Sequence, residues 1–155
     1  SVKSQLGARE TLRQAVAAPN EEVRRRIVER IEPREAIAAG QEEVEEQGEM
    51  VKEAMRNFDT SEIVNALTGI EGTLTTIQTA LGKLPGGSIN TEVKSDLINA
   101  IKELQGYRST ARGGGNLDPQ STNGLLFNIS QSLKNLNKIT GKPTGRVPKE
   151  INPED

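Results

Sequence analysis

The densest cationic cluster in the chain is Arg24, Arg25, Arg26, Arg30 and Arg34. Arg30 and Arg34 stand one helical turn apart, so both can reach phosphates of a polyanion. Glu21, Glu22, Glu29 and Glu32 nearly cancel the cluster's charge. No aromatic is interleaved to stack on bases, and no recognition-helix motif accompanies the arginines. A salt-bridged interface is the expected use. Nucleic-acid contact is the lesser reading, here or through Arg108, Arg112, Lys134, Lys138, Lys142, Arg146 and Lys149.

Carboxylates offer the second chemistry. Glu42 and Glu46 are one turn apart, as are Glu45 and Glu49, and each pair falls on one helix face where it could serve acid-base or divalent-metal chemistry. A carboxylate needs burial or a fixed partner before its pKa shifts usefully. A glutamate run on a helix that also holds Gly40 and Gly48 is expected to be solvated and electrostatic in role.

Other resemblances to reactive motifs fail on spacing. Gly141-Lys142-Pro143-Thr144 lacks the earlier glycine of a phosphate-binding loop, where Leu136 stands, and carries proline in the hydroxyl position. Gly113, Gly114 and Gly115 have no preceding strand and no βαβ context for a dinucleotide. Asn128-Ile129-Ser130 matches a glycosylation acceptor but lies inside a predicted helix. The chain has no cysteine and no histidine, which removes thiol nucleophiles, imidazole bases and the commonest transition-metal ligands. No catalytic residue, cofactor or metal is therefore expected.

The elements that carry these residues are helical. Apolar residues make up 33% of the chain; glycine raises the figure to about 43%, still below the globular norm, so a large private core is not expected. Phe58, Phe127 and Tyr107 are the only aromatics, which leaves packing to aliphatic seams. Val2, Leu6, Leu12 and Val16 mark a first helix closed by Pro19, and Asn20 caps a short second one carrying Val23, Ile27 and Ile31. Pro33 ends it or begins the next. Ile37, Val44, Val51 and Phe58 then recur every seven residues, a narrow stripe on a helix that should bend or fray unless it is docked.

Asp59 caps the most regular segment, with Glu62 placed as the returning partner of a capping box. Ile63, Leu67, Ile70, Leu74, Ile77, Leu81 and Leu84 follow at alternating spacings of four and three, a heptad seam over three repeats. Leucine at a and isoleucine at d favour assemblies of more than two helices, commonly four. Small or uncharged residues such as Ala66, Thr73 and Ala80 flank the seam, as a wide buried face requires. Thr68, Gly69, Gly72, Thr75, Thr76, Thr79 and Gly82 occupy what the pattern makes the outward face. Helices drawn from this chain or from other copies could cover the seam.

Pro85, Gly86 and Gly87 reverse the chain, and Asn90 or Thr91 caps a helix with Val93, Leu97, Ile98, Ile101 and Leu104 on one face, ending near Gly106. Asp118 and Pro119 open a last helix with Leu125, Leu126, Ile129, Leu133, Leu136 and Ile139 on its apolar face, stopped by Gly141 and Pro143. The expected organisation is thus all-α: a charged helical region over 1–57, a helical hairpin with the heptad seam over 58–106, a flexible glycine-rich linker over 107–118, a helix over 119–141 and an extended tail over 142–155.

Charge is segregated along the sequence. Residues 1–34 hold eight basic and five acidic groups, 35–106 five and thirteen, 107–149 seven and one, and 150–155 none and three. Such polarity suits complementary surfaces within an assembly. No leader of the secretory type opens the sequence and no apolar run reaches the length of a membrane span, so a cytoplasmic or virion location without standard secretion is expected. In general character the chain resembles the small helical components of virus and bacteriophage particles, such as scaffolding, connector or internal proteins. The expected function is a non-enzymatic structural protein that forms helical oligomers through the 63–84 seam and meets other proteins of a larger complex. The alternative is an oligomerisation or adaptor module of a nucleic-acid-processing complex.

Overall fold

A computed structural model describes the backbone of residues 2–84 and 91–139 and the side chains of 7–84 and 92–138. The expected turn at Pro85–Gly87, the cap at Asn90 or Thr91, the helix stop at Gly141 and Pro143 and the tail with Lys142, Arg146 and Lys149 lie outside the described residues. So do the side chains of Val2, Leu6 and Ile139. Every regular element among the described residues is a helix: α1 (Val2–Val16), α2 (Glu21–Val28), α3 (Pro33–Arg56), α4 (Thr60–Leu81), α5 (Thr91–Arg112) and α6 (Pro119–Ile139).

The helix starts follow local chemistry. Asn20 Oδ1 accepts from Val23 N at 3.0 Å, Asp59 Oδ1 from Glu62 N at 3.1 Å and Asp118 Oδ2 from Ser121 N at 2.9 Å, each satisfying a donor that the first turn leaves without a partner. Pro33 begins α3, where its missing N–H costs nothing. The capping box at Asp59 is only half formed. The Asp59 N–H already donates to Ala54 O, so Glu62 has no backbone donor to return to.

α3, α4, α5 and α6 form an up-down-up-down four-helix bundle in which α3 and α5 each pack against both α4 and α6. Side-chain pairs fix its antiparallel register: Glu71 accepts from Gln105 at 2.9 Å and pairs with Arg108 across α4 and α5, while Gln41 meets Asn137 across α3 and α6. Ile37, Val44 and Val51 of α3, Leu97 and Leu104 of α5, and Leu125, Leu126, Ile129, Leu133 and Leu136 of α6 close over Leu67, Ile70, Leu74, Ile77 and Leu81. The seam is therefore covered by the chain's own helices, and these five positions have no surface left for another copy. Ile63 and Leu84, at its two ends, are half-buried.

The expectation of a small private core is overturned for the same reason. Aliphatic side chains on four facing helices bury efficiently without aromatics, and alanine supplies a second core between α1, α2 and the α3–α4 edge: Ala8, Ala15, Ala36, Ala39 and Ala80 around Leu12, Val28 and Ile31. Lys83 Nζ ties that layer down by donating to the carbonyls of Val28, Glu29 and Ile31 at 3.3, 3.3 and 2.7 Å, at the negative end of α2.

Three other expectations change. Part of the α4 face read as outward is a packing face, because its small residues let neighbouring segments approach closely, while Thr68 and Gly82 stay exposed. A Cβ on Gly72 would sit 2.8 Å from Val16 Cγ1 and one on Gly69 3.1 Å from Gln47 Nε2, and Thr76 is fully buried with its hydroxyl donating to Gly72 O at 2.8 Å. Gly106 does not end α5, which continues to Arg112, so the linker expected over 107–118 shrinks to the residues after Arg112. An exposed helical glycine costs only about 1 kcal/mol, and the Glu71–Arg108 pair holds the last two turns in place. Phe58, finally, leaves the heptad stripe it was grouped with, since α3 stops at Arg56.

Candidate docking groove

Two clefts adjoin, one at the end of the bundle where the last residues of α3 and α5 meet the first of α4 and α6, the other between α3 and α6. The first, about 470 Å³, is lined by apolar groups of Met55, Phe58, Ile63, Ala111 and Leu117 with Lys52 and Arg56 at its edge. The second, about 620 Å³, is lined by Val44, Leu126 and Phe127 with Glu45 and Glu49 at its edge. Lys52 and Asn123 belong to both, so the two make one groove running antiparallel along α3 and α6. Gly48 and Gly124 line it, and a Cβ on Gly124 would meet nothing within 4 Å.

Both phenylalanines of the chain stand on this groove, and both face solvent: Phe58 is 89% exposed and Phe127 62%. The sequence dictates each placement. Phe127 lies two residues from both Leu125 and Ile129, about 200° around the helix from the side they bury. Phe58 follows the end of α3 at φ 53°, the left-handed region that a bulky side chain rarely adopts. Phe58 N donates to Met55 O and Asp59 N to Ala54 O, at 3.1 and 3.0 Å. That pair of bonds is the helix-stop motif normally built on glycine. With Asp59 immediately capping α4, the α3–α4 corner has no spare residue to relax the strain.

The groove is electrically two-ended. Glu45 and Glu49 mark the end nearer the start of α3, Lys52 and Arg56 the other. Lys52 pairs with Glu49 at 3.3 Å and Arg56 with Glu53 at 2.7 Å, both within α3. The hydrogen bond and charge of Arg56 hold the Glu53 carboxyl below its usual range.

The other expected site residues are distributed elsewhere. Arg24 is held by Glu21 at 2.9 Å and donates to Ala15 O at 3.4 Å, and Arg26 pairs with Glu22 at 2.8 Å. Arg25 and Arg30 are exposed on α2 and its end, and Arg34 is exposed in the first turn of α3. The glutamate run splits. Glu43 is only 7% exposed and accepts from Arg9 Nε at 3.1 Å and Arg13 Nε at 2.9 Å, while Glu46 accepts from Arg9 at 3.1 Å. Burial pushes the Glu43 carboxyl up, but the hydrogen bonds from Arg13 and Arg9 together hold it below its ordinary value. Glu43 is therefore a clamp between α1 and α3 rather than a solvated carboxylate.

Among the described residues no group of three or more acidic side chains is placed to hold a metal ion, and no helix is long and apolar enough to cross a membrane. Comparison of the chain with protein-family models, with curated proteins and with solved structures returns no match.

Proposed function

We propose that this chain is a non-enzymatic assembly protein that docks through the α3–α6 groove rather than through its aliphatic seam. The observation that carries the reading is the exposure of both phenylalanines on one groove lined largely by apolar groups while Leu67, Ile70, Leu74, Ile77 and Leu81 of α4 are enclosed. A chain with so little aromatic area would gain stability by burying it. Holding Phe58 in left-handed backbone adds about 1–2 kcal/mol of strain that glycine would not carry. Retaining an aromatic there is intelligible if the ring is buried on association, where aromatic side chains dominate binding energy.

Support for a non-catalytic role comes from chemistry. The chain has neither histidine nor cysteine, and Glu43, its one strongly buried carboxylate among the described residues, is occupied by two arginines. The setting we propose is an assembly of repeated protein parts, such as a virus or bacteriophage particle provides. A photo-crosslinking amino acid placed at Phe127 in cells that make the protein tests the reading. An adduct of one discrete mass is expected, competed away by excess unmodified chain and missing when the probe replaces exposed Lys102 on α5. Equal, diffuse labelling from both positions would refute it.

A further inference from the structure

We infer that the occupant of the α3–α6 groove is a second copy of this chain, bound antiparallel across a two-fold axis. The inference rests on the docking role proposed above and adds the identity and register of the partner.

Charge complementarity selects the occupant. A two-fold interface is self-complementary, so each feature must find its match on the same patch. An axis crossing α3 perpendicularly between Met50 and Val51 carries Glu45 to the level of the other copy's Arg56, and Glu49 to that of its Lys52. All four lie along the groove edge of α3. Acidic end then meets basic end twice. A parallel stack would oppose like charges. Glu45 has no ion pair within its own copy among the pairs the structure shows, and the exposed Lys52–Glu49 and Arg56–Glu53 pairs are weak enough to rearrange.

The apolar features match under the same operation. The groove spans Val44 to Arg56, about 18 Å of helix. Phe127 lies beside Glu45, Glu49 and Lys52 and thus near the axis, where the rings of two copies meet. Phe58, beyond the basic end, is carried to the level of Glu43 and Val44 of the other copy, at the far end of its groove.

The test uses the full chain in sedimentation equilibrium at increasing concentration. The expected mass is twice the 16.8 kDa of one chain. Glu45→Lys with Glu49→Lys makes the groove edge wholly basic, and Lys52→Glu with Arg56→Glu makes it wholly acidic. Each double variant should dimerise at least about ten-fold more weakly than the native chain, with unchanged helical circular dichroism, and an equimolar mixture should recover a heterodimer of near-native affinity. Loss of an intrachain contact would not be repaired by mixing. A native chain that stays monomeric to about 100 µM, more than ten-fold above a micromolar Kd, overturns the inference. So does a mixture that fails to associate, or a chain that dimerises only when residues 140–155 are removed, which would identify that segment as the occupant. A monomeric native chain that still gives a single crosslinked adduct at Phe127 of another mass would leave the docking groove standing and reject the second copy alone.

Discussion

Replacing Gly40 with alanine is the sharpest test of how α3 and α4 pack. A helical glycine-to-alanine change ordinarily stabilises by about 1 kcal/mol. At Gly40 the new Cβ would lie 2.9 Å from Ile77 Cγ1 and closer still to Ile77 Cδ1. Rotation about χ2 can move Cδ1, but Cγ1 is fixed by a χ1 that a β-branched residue in a helix can scarcely change, and Ile77 is fully buried. Overpacking of this kind costs about 1–3 kcal/mol, so the net effect is a loss of about 1 kcal/mol. Gly106→Ala is the control, since a Cβ there meets nothing within 4 Å, and it should gain about 1 kcal/mol. Urea unfolding followed by circular dichroism measures both. Ile77→Ala, which removes Cγ1 itself, should cost about 2–5 kcal/mol in the native background and distinctly less alongside Gly40→Ala, a coupling visible in the double-mutant cycle. If Gly40→Ala stabilises as much as Gly106→Ala, the close approach of α3 and α4 is refuted.

Phe58→Gly should raise the thermal midpoint by relieving left-handed strain, by about 0.5–1 kcal/mol after the added freedom of the unfolded chain, while weakening self-association; a lowered midpoint would show that the ring supports the fold. Leu74→Ala should cost about 2–5 kcal/mol and unfold the chain without first changing its mass, because the seam faces inward; dissociation of a still-folded chain would restore the seam as an interface. Glu43 has a folded-state pKa below its unfolded one, so its contribution is complete above the ordinary carboxylate pKa and is lost as pH falls through the folded value. Glu43→Gln should flatten the acid limb of the stability–pH curve and cost about 1–2 kcal/mol at neutral pH, less than a fully buried pair because Arg13 is half-exposed; an unchanged acid limb would contradict the clamp.

Among the described residues, the helices, the starts of α2, α3, α4 and α6 and the aliphatic faces of α4 and α6 were legible in the sequence because they depend on local terms: cap side chains within three residues of the donors they satisfy, proline at a first turn, and aliphatic residues recurring at helical spacing. Ile70, Leu74 and Ile77 had to be covered whatever molecule supplied the cover. Which helices cover them was decided by tertiary structure, since antiparallel neighbours from one chain and helices from several copies satisfy the same periodicity. The glycine and threonine face of α4 reads as polar in sequence and becomes a contact surface only when Val16 and Gln47 are brought against it. Glu43 differs from Glu42 and Glu46 only in the direction it points from α3, and α1 supplies its arginines from 30 and 34 residues away. Phe58 shares the seven-residue spacing of Ile37, Val44 and Val51, yet the hydrogen bonds that end α3 turn it out to solvent. Burial is a property of what lies opposite a side chain, and that is fixed only when distant segments meet.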